Sequence, residues 1–473
     1  MKIFFAALIA LLCINANAQS LAKKMFEASA VTCNSNVGVL VVDVKTGKTI
    51  DSYRAGNMLP TASTMKVIST CTALELLGAD YRWSTYFETD GEIVDNTLVG
   101  NLYVRGTGDP TLGSSRFGGI AVLAEWAERL KEQGIRSIQG RVIADMSAFH
   151  PGDAMNEGWA FGDMGNYYGM GIFGLNWRDN TMRITLSSGE VAETAEYLGS
   201  EPYDPRLHFT SYAICVANDE DNGYAHGVAF NYERTITGEI PAGQGTFSIN
   251  GDLPNPGLTL AEELTTELGN KGISVAGAPD FTLSLPSGKP RKLIFEHKSP
   301  ALSEVVRETN IHSDNLYAES IFRTLALRDG RSASTDESRD VVERCWTSRG
   351  VNFSPIIQVD GCGLAPQNGV SPATFVSLLR YMYKSPNYGV FRESLPVSGQ
   401  SGTISSFLRG TALDGKVHAK SGTIAHLRSY CGYIELDKNT VWAFSIVVNN
   451  GNGSSLAVRK EMERYLLKLT EKK

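Results

Sequence analysis

Three short polar motifs lie far apart in the chain, and if they act together they must meet in one cleft, which constrains the fold more than any other feature. They are Ser63-Thr64-Met65-Lys66, Ser313-Asp314-Asn315 and Lys420-Ser421-Gly422-Thr423. A serine hydroxyl is a weak nucleophile at neutral pH, so an acyl-transferring serine needs a base within hydrogen-bond reach and a polarising pocket for the oxyanion. Ser63 and Lys66, three residues apart on a helix entered through Pro60-Thr61-Ala62, share one face near the positive end of the helix dipole. A lysine ammonium cannot accept a proton, so the base role requires a lowered pKa, which burial and a neighbouring positive charge can produce. Lys420 is the candidate for that second charge. Taken singly each motif is common by chance: Ser-Asp-Asn also reads as a helix N-cap and Lys-Ser-Gly-Thr as an exposed turn. Their order carries the reading, with Ser/Lys on an early helix, Ser/Asn after a long gap and Lys-Ser-Gly on a later strand.

That gap separates residues 63 and 313 and implies an insertion in a discontinuous domain. Residues 37–44 and 48–54 alternate as a hairpin turning at Thr46-Gly47, and 416–424, 429–436 and 440–448 read as three later strands of the same antiparallel sheet. Helices are expected over 21–28, from Ser63 to a stop at Gly78, over 316–327, from Ser371-Pro372 to Tyr383, and over 455–469. Between about 81 and 295 the pattern changes to short strands and turns with one helix near 120–133. The fold class is therefore α+β: an antiparallel sheet covered by helices, with a large, mainly β insert. Within the insert, residues 165–180 are rich in glycine and aromatics, including Tyr167, Tyr168, Phe173 and Trp177. A packed loop with aromatic anchors is the favoured reading there, and a wall of the cleft the sharper one.

In these motifs the chain resembles the penicillin-recognising serine enzymes, most closely the D-alanyl-D-alanine carboxypeptidase/endopeptidase family of low-molecular-mass penicillin-binding proteins. The same texture runs through Gly106-Thr107-Gly108-Asp109-Pro110, Asp360-Gly361-Cys362-Gly363-Leu364, Ser371-Pro372 and Gly402-Thr403. The sequence departs from it with Ser421 where threonine is commoner, Cys362 where serine is common and Ser401 where aspartate is common. The resemblance implies a β-lactamase/transpeptidase-like catalytic domain formed by 19–80 and 296–473, with 81–295 as an insert of two nested smaller domains. It implies that Ser63 is acylated by a peptidyl-D-alanyl group and Lys66 takes its proton. Ser313 would relay a proton to the leaving nitrogen, Asn315 would hold Lys66 and the substrate amide, and Lys420, Ser421 and Thr423 would hold the terminal carboxylate. Backbone N–H groups of Ser63 and Thr423 would form the oxyanion hole. Partners are then peptidoglycan stem peptides ending in D-Ala-D-Ala and β-lactam antibiotics, with no cofactor.

Lys2 before an apolar run to Ile14, with Ala16-Asn17-Ala18 before Gln19, reads as a secretory leader over 1–18, which makes the protein periplasmic with at most peripheral membrane contact. Leu12 before Cys13 argues against lipidation. Net charge is −7, or −8 without Lys2, which disfavours nucleic-acid binding. Six cysteines remain after Cys13; their irregular spacing lacks a metal pattern, and both bridges and buried free thiols fit it, the latter better for several. Seven scattered histidines form no ligand cluster, and His312, His418 and His426 beside the motifs read as packing or hydrogen-bonding residues. Arg428 reads either as an aid to the carboxylate pocket or as a solvated strand residue. Two rivals share parts of this pattern. A β-lactamase shares the motifs but would lack so large an insert, and the glutamate context of class A deacylation is missing; a non-catalytic wall-binding protein would keep the fold without turnover.

Overall fold

The computed structural model describes residues 20–284, 290–353 and 356–471. The expected leader over 1–18, and Cys13 in it, lie outside the described residues. One sheet is built from β1 (Asn36–Asp43), β2 (Thr49–Tyr53), β3 (Val417–Ile424), β4 (Leu427–Asp437) and β5 (Thr440–Asn449), in the order β3-β4-β5-β1-β2. Every neighbouring pair is antiparallel, so the two ends of the chain supply the strands of a single sheet. Gly47, at φ +75°, makes the β1–β2 turn.

The central strands read as near-continuous apolar runs because both faces of the sheet are covered. Val37, Val39 and Val41 of β1 and Phe444, Ile446 and Val448 of β5 pack against α1 (Leu21–Ala28) with Phe26 and, from the C-terminus, Tyr465 and Leu466. The opposite face, with Val42, Cys431, Tyr433 and Ala443, meets a helical layer. That layer contains α2 (Met65–Leu77), α3 (Leu302–His312), α4 (Asn315–Arg328), α5 (Thr335–Ser348) and α6 (Pro372–Met382). The chain closes with α7 (Ser455–Thr470), which carries Tyr465. α2 is apolar or small almost all round, and each residue from Met65 to Leu74 is buried, which makes it the central helix of the layer. It ends at Gly78, whose φ of +84° favours glycine.

Between α2 and α3 the chain builds separate sheets. A mixed five-stranded sheet contains Ser84–Thr89, Leu102–Arg105, Val142–Asp145, Asp280–Thr282 and Lys292–Lys298. A second group of strands, from Thr181–Ser188 to Gly245–Asp252, has its own apolar cluster around Ile184, Ile236 and Ile249. The expectation of one helix in this region is corrected: Val122–Glu132 is joined by Pro256–Asn270. Pro254-Asn255-Pro256-Gly257 is made of turn-forming residues, yet Asn255 is the N-cap and accepts from the Leu258 N–H, while Pro256 occupies the first turn, where no N–H is needed. Leu260, Leu264 and Leu268 then form its buried stripe. The architecture is α+β with a mainly β intervening region.

One part of that region packs elsewhere. Phe149, Trp159, Met170 and Ile172 belong to the same cluster as α2 to α6, so the chain over 149–172 lies against the helical layer. All six cysteines among the described residues are free thiols, with Cys33 exposed and Cys71, Cys215, Cys345, Cys362 and Cys431 buried.

Candidate active site

Ser63 sits in a 3-10 turn, Ala62–Thr64, that runs directly into α2. The turn is pinned to the sheet because the Thr64 hydroxyl and the Ser429 hydroxyl of β4 both donate to the Thr61 carbonyl at 2.7 Å. Ala62 has φ +45°, a left-handed conformation that costs a non-glycine residue of the order of 1 kcal/mol and persists only when its surroundings enforce it. Two glycines do so by close approach. A Cβ on Gly422 of β3 would lie 2.6 Å from the Thr61 carbonyl oxygen and 3.0 Å from the Ser63 nitrogen, and one on Gly363 1.9 Å from the Ala62 oxygen. The glycine of Lys-Ser-Gly is there so that a strand can pass against the nucleophile turn.

Lys66, one turn on, is fully buried. Its Nζ lies 2.9 Å from Ser63 Oγ, 2.6 Å from Asn315 Oδ1 and 2.8 Å from the Cys362 carbonyl oxygen. Burial lowers its pKa, against the pull of Asp360, Asp314 and Glu319. Lys420, equally buried, donates from Nζ to Ser313 Oγ and to the Ser421 carbonyl, both at 2.9 Å. Its pKa is pushed well below the ordinary value by burial first and then by the charge of Lys66. Lys420 is the second charge expected near Lys66, and the two lie within electrostatic reach of each other. Desolvation is the leading cause at both lysines, and the repulsion between the two ammonium groups adds to it.

The second motif divides its labour. Ser313 caps the C-terminus of α3 with φ +60°, Asp314 caps α4 by accepting from the Tyr317 N–H, and Asn315 opens α4 with its side chain on Lys66. In the third, Ser421 Oγ donates to Thr403 Oγ1 at 2.7 Å, and exposed Thr423 accepts from Arg428 at 2.8 Å. All seven residues expected at the site are therefore joined in one region through Lys66, Lys420 and the two strands. Arg428, on β4, reaches Thr423 through this exposed hydrogen bond. The flanking histidines are bonded elsewhere: His418 to Arg392 at 3.0 Å, and His312 to Glu308 at 3.2 Å.

Other groups at the site carry no motif of their own. The Cys362 and Tyr168 carbonyls touch it, the latter accepting from Asn315 Nδ2 at 2.7 Å. Tyr168 belongs to the aromatic segment 165–180, so a main-chain group of that segment reaches the site while Tyr167 stays exposed. Thr403, Glu319 and Asp360 lie in recognisable segments but under no reading of their own. Ser401 accepts from the Val397 N–H at 3.0 Å and closes the loop before Thr403. Asp360 takes Gly363 N and Asn368 Nδ2 on one oxygen and Trp159 Nε1 and Ala365 N on the other. Glu319, Asp360 and Cys362 bring ligand atoms within 4.8 Å of one another. With Asp360 saturated and the Cys362 thiol pKa pushed up by burial, the cluster is suited to holding backbone N–H groups rather than a cation.

A buried lysine on a strained serine turn, a second lysine on a serine hydroxyl, and glycine-mediated strand approach together make an arrangement suited to acyl transfer. The sequence model of the D-Ala-D-Ala carboxypeptidase 3 (S13) family matches residues 18–469. The chain belongs to that family. It is accordingly a serine-type D-Ala-D-Ala carboxypeptidase. It is 28% identical over 451 residues to the D-alanyl-D-alanine carboxypeptidase of Actinomadura sp. strain R39, covering 89% of this chain and 79% of that protein. The D-alanyl-D-alanine carboxypeptidase DacB of Haemophilus influenzae is 27% identical over 441 residues, covering 92% of this chain and 88% of that one. The crystal structure of penicillin binding protein 4 (dacB) from Haemophilus influenzae shares the fold, with a TM-score of 0.80 at 24% identity over 96% of this chain and 98% of that one.

Proposed function

We propose that Ser63 is the nucleophile and Lys66 the base of a peptidase acting on peptidoglycan stem peptides that end in D-Ala-D-Ala. The observation that carries the reading is the contact of buried Lys66 Nζ with Ser63 Oγ at 2.9 Å, completed by Asn315 and the Cys362 carbonyl. With Lys66 neutral, its lone pair takes the Ser63 proton as Oγ attacks the carbonyl of the penultimate D-alanine. The oxyanion falls to the backbone N–H groups of Ser63 and Thr423. The C–N bond breaks as the leaving D-alanine nitrogen receives a proton through Ser313, whose hydroxyl contacts Lys420. Water then hydrolyses the acyl-enzyme and returns Ser63 to its resting state. Lys420, Ser421 and Thr423 hold the substrate carboxylate, with Arg428 beside Thr423 adding positive charge.

Carboxypeptidase and cross-link endopeptidase turnover share this acylation, and both belong to the proposal. A β-lactam presents a strained amide and a carboxylate to the same groups and forms a slowly hydrolysed adduct. That reading is supported by penicillin binding protein 4 of Haemophilus influenzae, whose fold is shared and which has been seen complexed with a novel beta-lactam. Residues 1–18 are taken as a leader directing the protein to the periplasm. No helix of the described residues is long and apolar enough to cross a membrane. The division into a catalytic unit of 19–80 and 296–473 with 81–295 as two nested smaller units is supported by the insert's own sheets and two separate apolar clusters.

Intact-mass analysis with a penicillin tests the reading. Wild type should gain one persistent β-lactam mass and Ser63→Ala none. A rapidly lost adduct would make the protein a β-lactamase, and an adduct surviving in Ser63→Ala would remove Ser63 from the nucleophile role.

A further inference from the structure

Lys66 as a neutral amine has two N–H bonds and one lone pair. If the lone pair is to face Ser63, the two N–H bonds must be held by the other two acceptors, Asn315 Oδ1 and the Cys362 carbonyl oxygen. Asn315 is anchored by its own helix. The Cys362 carbonyl belongs to a loop and needs something to fix its direction. Gly361 N–H and Cys362 N–H both donate to a single oxygen, Glu319 Oε1, at 2.6 and 2.7 Å. The Gly361 carbonyl accepts from Ser69 Oγ at 2.6 Å, and Ser69 lies one turn beyond Lys66 on α2.

Glu319 lies four residues after Asn315 on α4, hence on the same face one turn along. One helix therefore presents Asn315 directly and, through Glu319, holds the two peptide groups that lead into the Cys362 carbonyl, whose own peptide N–H, that of Gly363, donates to Asp360 Oδ1 at 2.7 Å. The carboxylate has no exposure, and no hydrogen bond reaches its other oxygen, Oε2. Arg323, one turn further on and equally buried, offers the opposing charge and leaves Nε and Nη1 without hydrogen-bond partners. A buried carboxylate half-committed in this way is costly unless its committed half does something the fold or the reaction requires.

We propose that Glu319 is a positioning residue for the base: by gathering the Gly361 and Cys362 N–H groups on one oxygen, it aims the Cys362 carbonyl at Lys66 and so turns the Lys66 lone pair toward Ser63. The proposal rests on the assignment of Ser63 and Lys66 made above. It separates geometry from charge. Glutamine at 319 keeps an acceptor oxygen and loses the charge, whereas alanine loses both.

The test is the rate of acylation by a chromogenic penicillin from pH 6 to 10, with KM and kcat for a D-Ala-D-Ala peptide. Glu319→Ala is expected to lower acylation and kcat about 100-fold, the scale of a misaimed base, with KM changed less than about threefold because the carboxylate pocket is untouched. Glu319→Gln is expected to lose less than Glu319→Ala and to move the acidic limb of the profile to lower pH, since a negative charge near Lys66 is gone. Wild-type rate and an unmoved limb in both variants would overturn the proposal. So would a loss shared equally between kcat and KM with the limb in place, which is what a purely structural residue gives. If Glu319→Ala does not fold, the limb in Glu319→Gln decides. Failure of wild type to form any adduct would instead overturn the Ser63 assignment.

Discussion

Asn315 shows how much a single side chain settles at this site, because its oxygen accepts from Lys66 at 2.6 Å while its nitrogen donates to the Tyr168 carbonyl at 2.7 Å. An amide satisfies both directions and adds no charge. Asn315→Asp would set a carboxylate against the Lys66 ammonium, and an opposite charge within about 4 Å raises a lysine pKa by roughly one to three units. At a fixed pH on the acidic limb, acylation by a penicillin should therefore fall at least about tenfold and recover as the pH is raised. An equal loss at pH 7 and pH 10 would mean that the effect is positional, through the Tyr168 contact. The side chains that meet at the site were legible in the sequence because a weak nucleophile, its base and a carboxylate pocket demand particular side chains at helix or strand spacing. The Cys362 and Tyr168 carbonyls were not, because a main-chain acceptor leaves no trace in residue identity. Glu319 was visible as a residue but not as a partner, since its function runs through the backbone of a loop distant in sequence.

Among the elements, the loop over 106–112 ties the insert to α4. The Asp109 carbonyl accepts from Asn176, which also contacts Ser320 on α4. The Asp109 side chain accepts twice on one oxygen from Thr111 and leaves the other unpartnered in a fully buried place. Burial raises its pKa from 3.8 to about 6. An acid raised on folding favours the folded state below its unfolded pKa, and that contribution is lost as pH rises through the folded value. Relative to Asp109→Asn, which does not titrate, wild type should lose most of about 3 kcal/mol between pH 4 and 8. Denaturant unfolding of both proteins across that range measures the difference. A constant gap would show that Asp109 stays charged throughout. The strands of the main sheet and the helix ends at Gly78 and Ser371-Pro372 were readable because alternation and cap chemistry are local. The helix Pro256–Asn270 was not, because its start is written in the same proline and glycine that punctuate turns.

Across the whole molecule, the insert does more than interrupt the chain. Trp159 donates to Asp360, Asn156 to the Val359 carbonyl and Arg116 to Asp314, so residues between the first and second motifs hold the loops and caps on which the motifs stand. The sequence suggested an insertion but not that 149–172 would join the apolar cluster of the helical layer, since tertiary packing of a glycine-rich segment has no periodicity to read. The same cluster explains the cysteines. Cys71, Cys345, Cys362 and Cys431 lie in it and Cys215 in the cluster of the nested strands, where burial raises the thiol pKa of Cys71, Cys362 and Cys431. Reaction requires an exposed thiolate, so burial shields all five, and Cys71, Cys362 and Cys431 are shielded by protonation as well. Among the described cysteines, Cys33 alone is exposed. In protein beginning at Gln19, a thiol reagent at pH 8 should therefore titrate one fast thiol in the native state and six after denaturation without reductant. A denatured count of four would reveal a disulfide, and several fast native thiols would show that the layer around α2 opens readily. The expected result would mean that packing keeps the cysteines reduced, because the core is large enough to need no covalent closure.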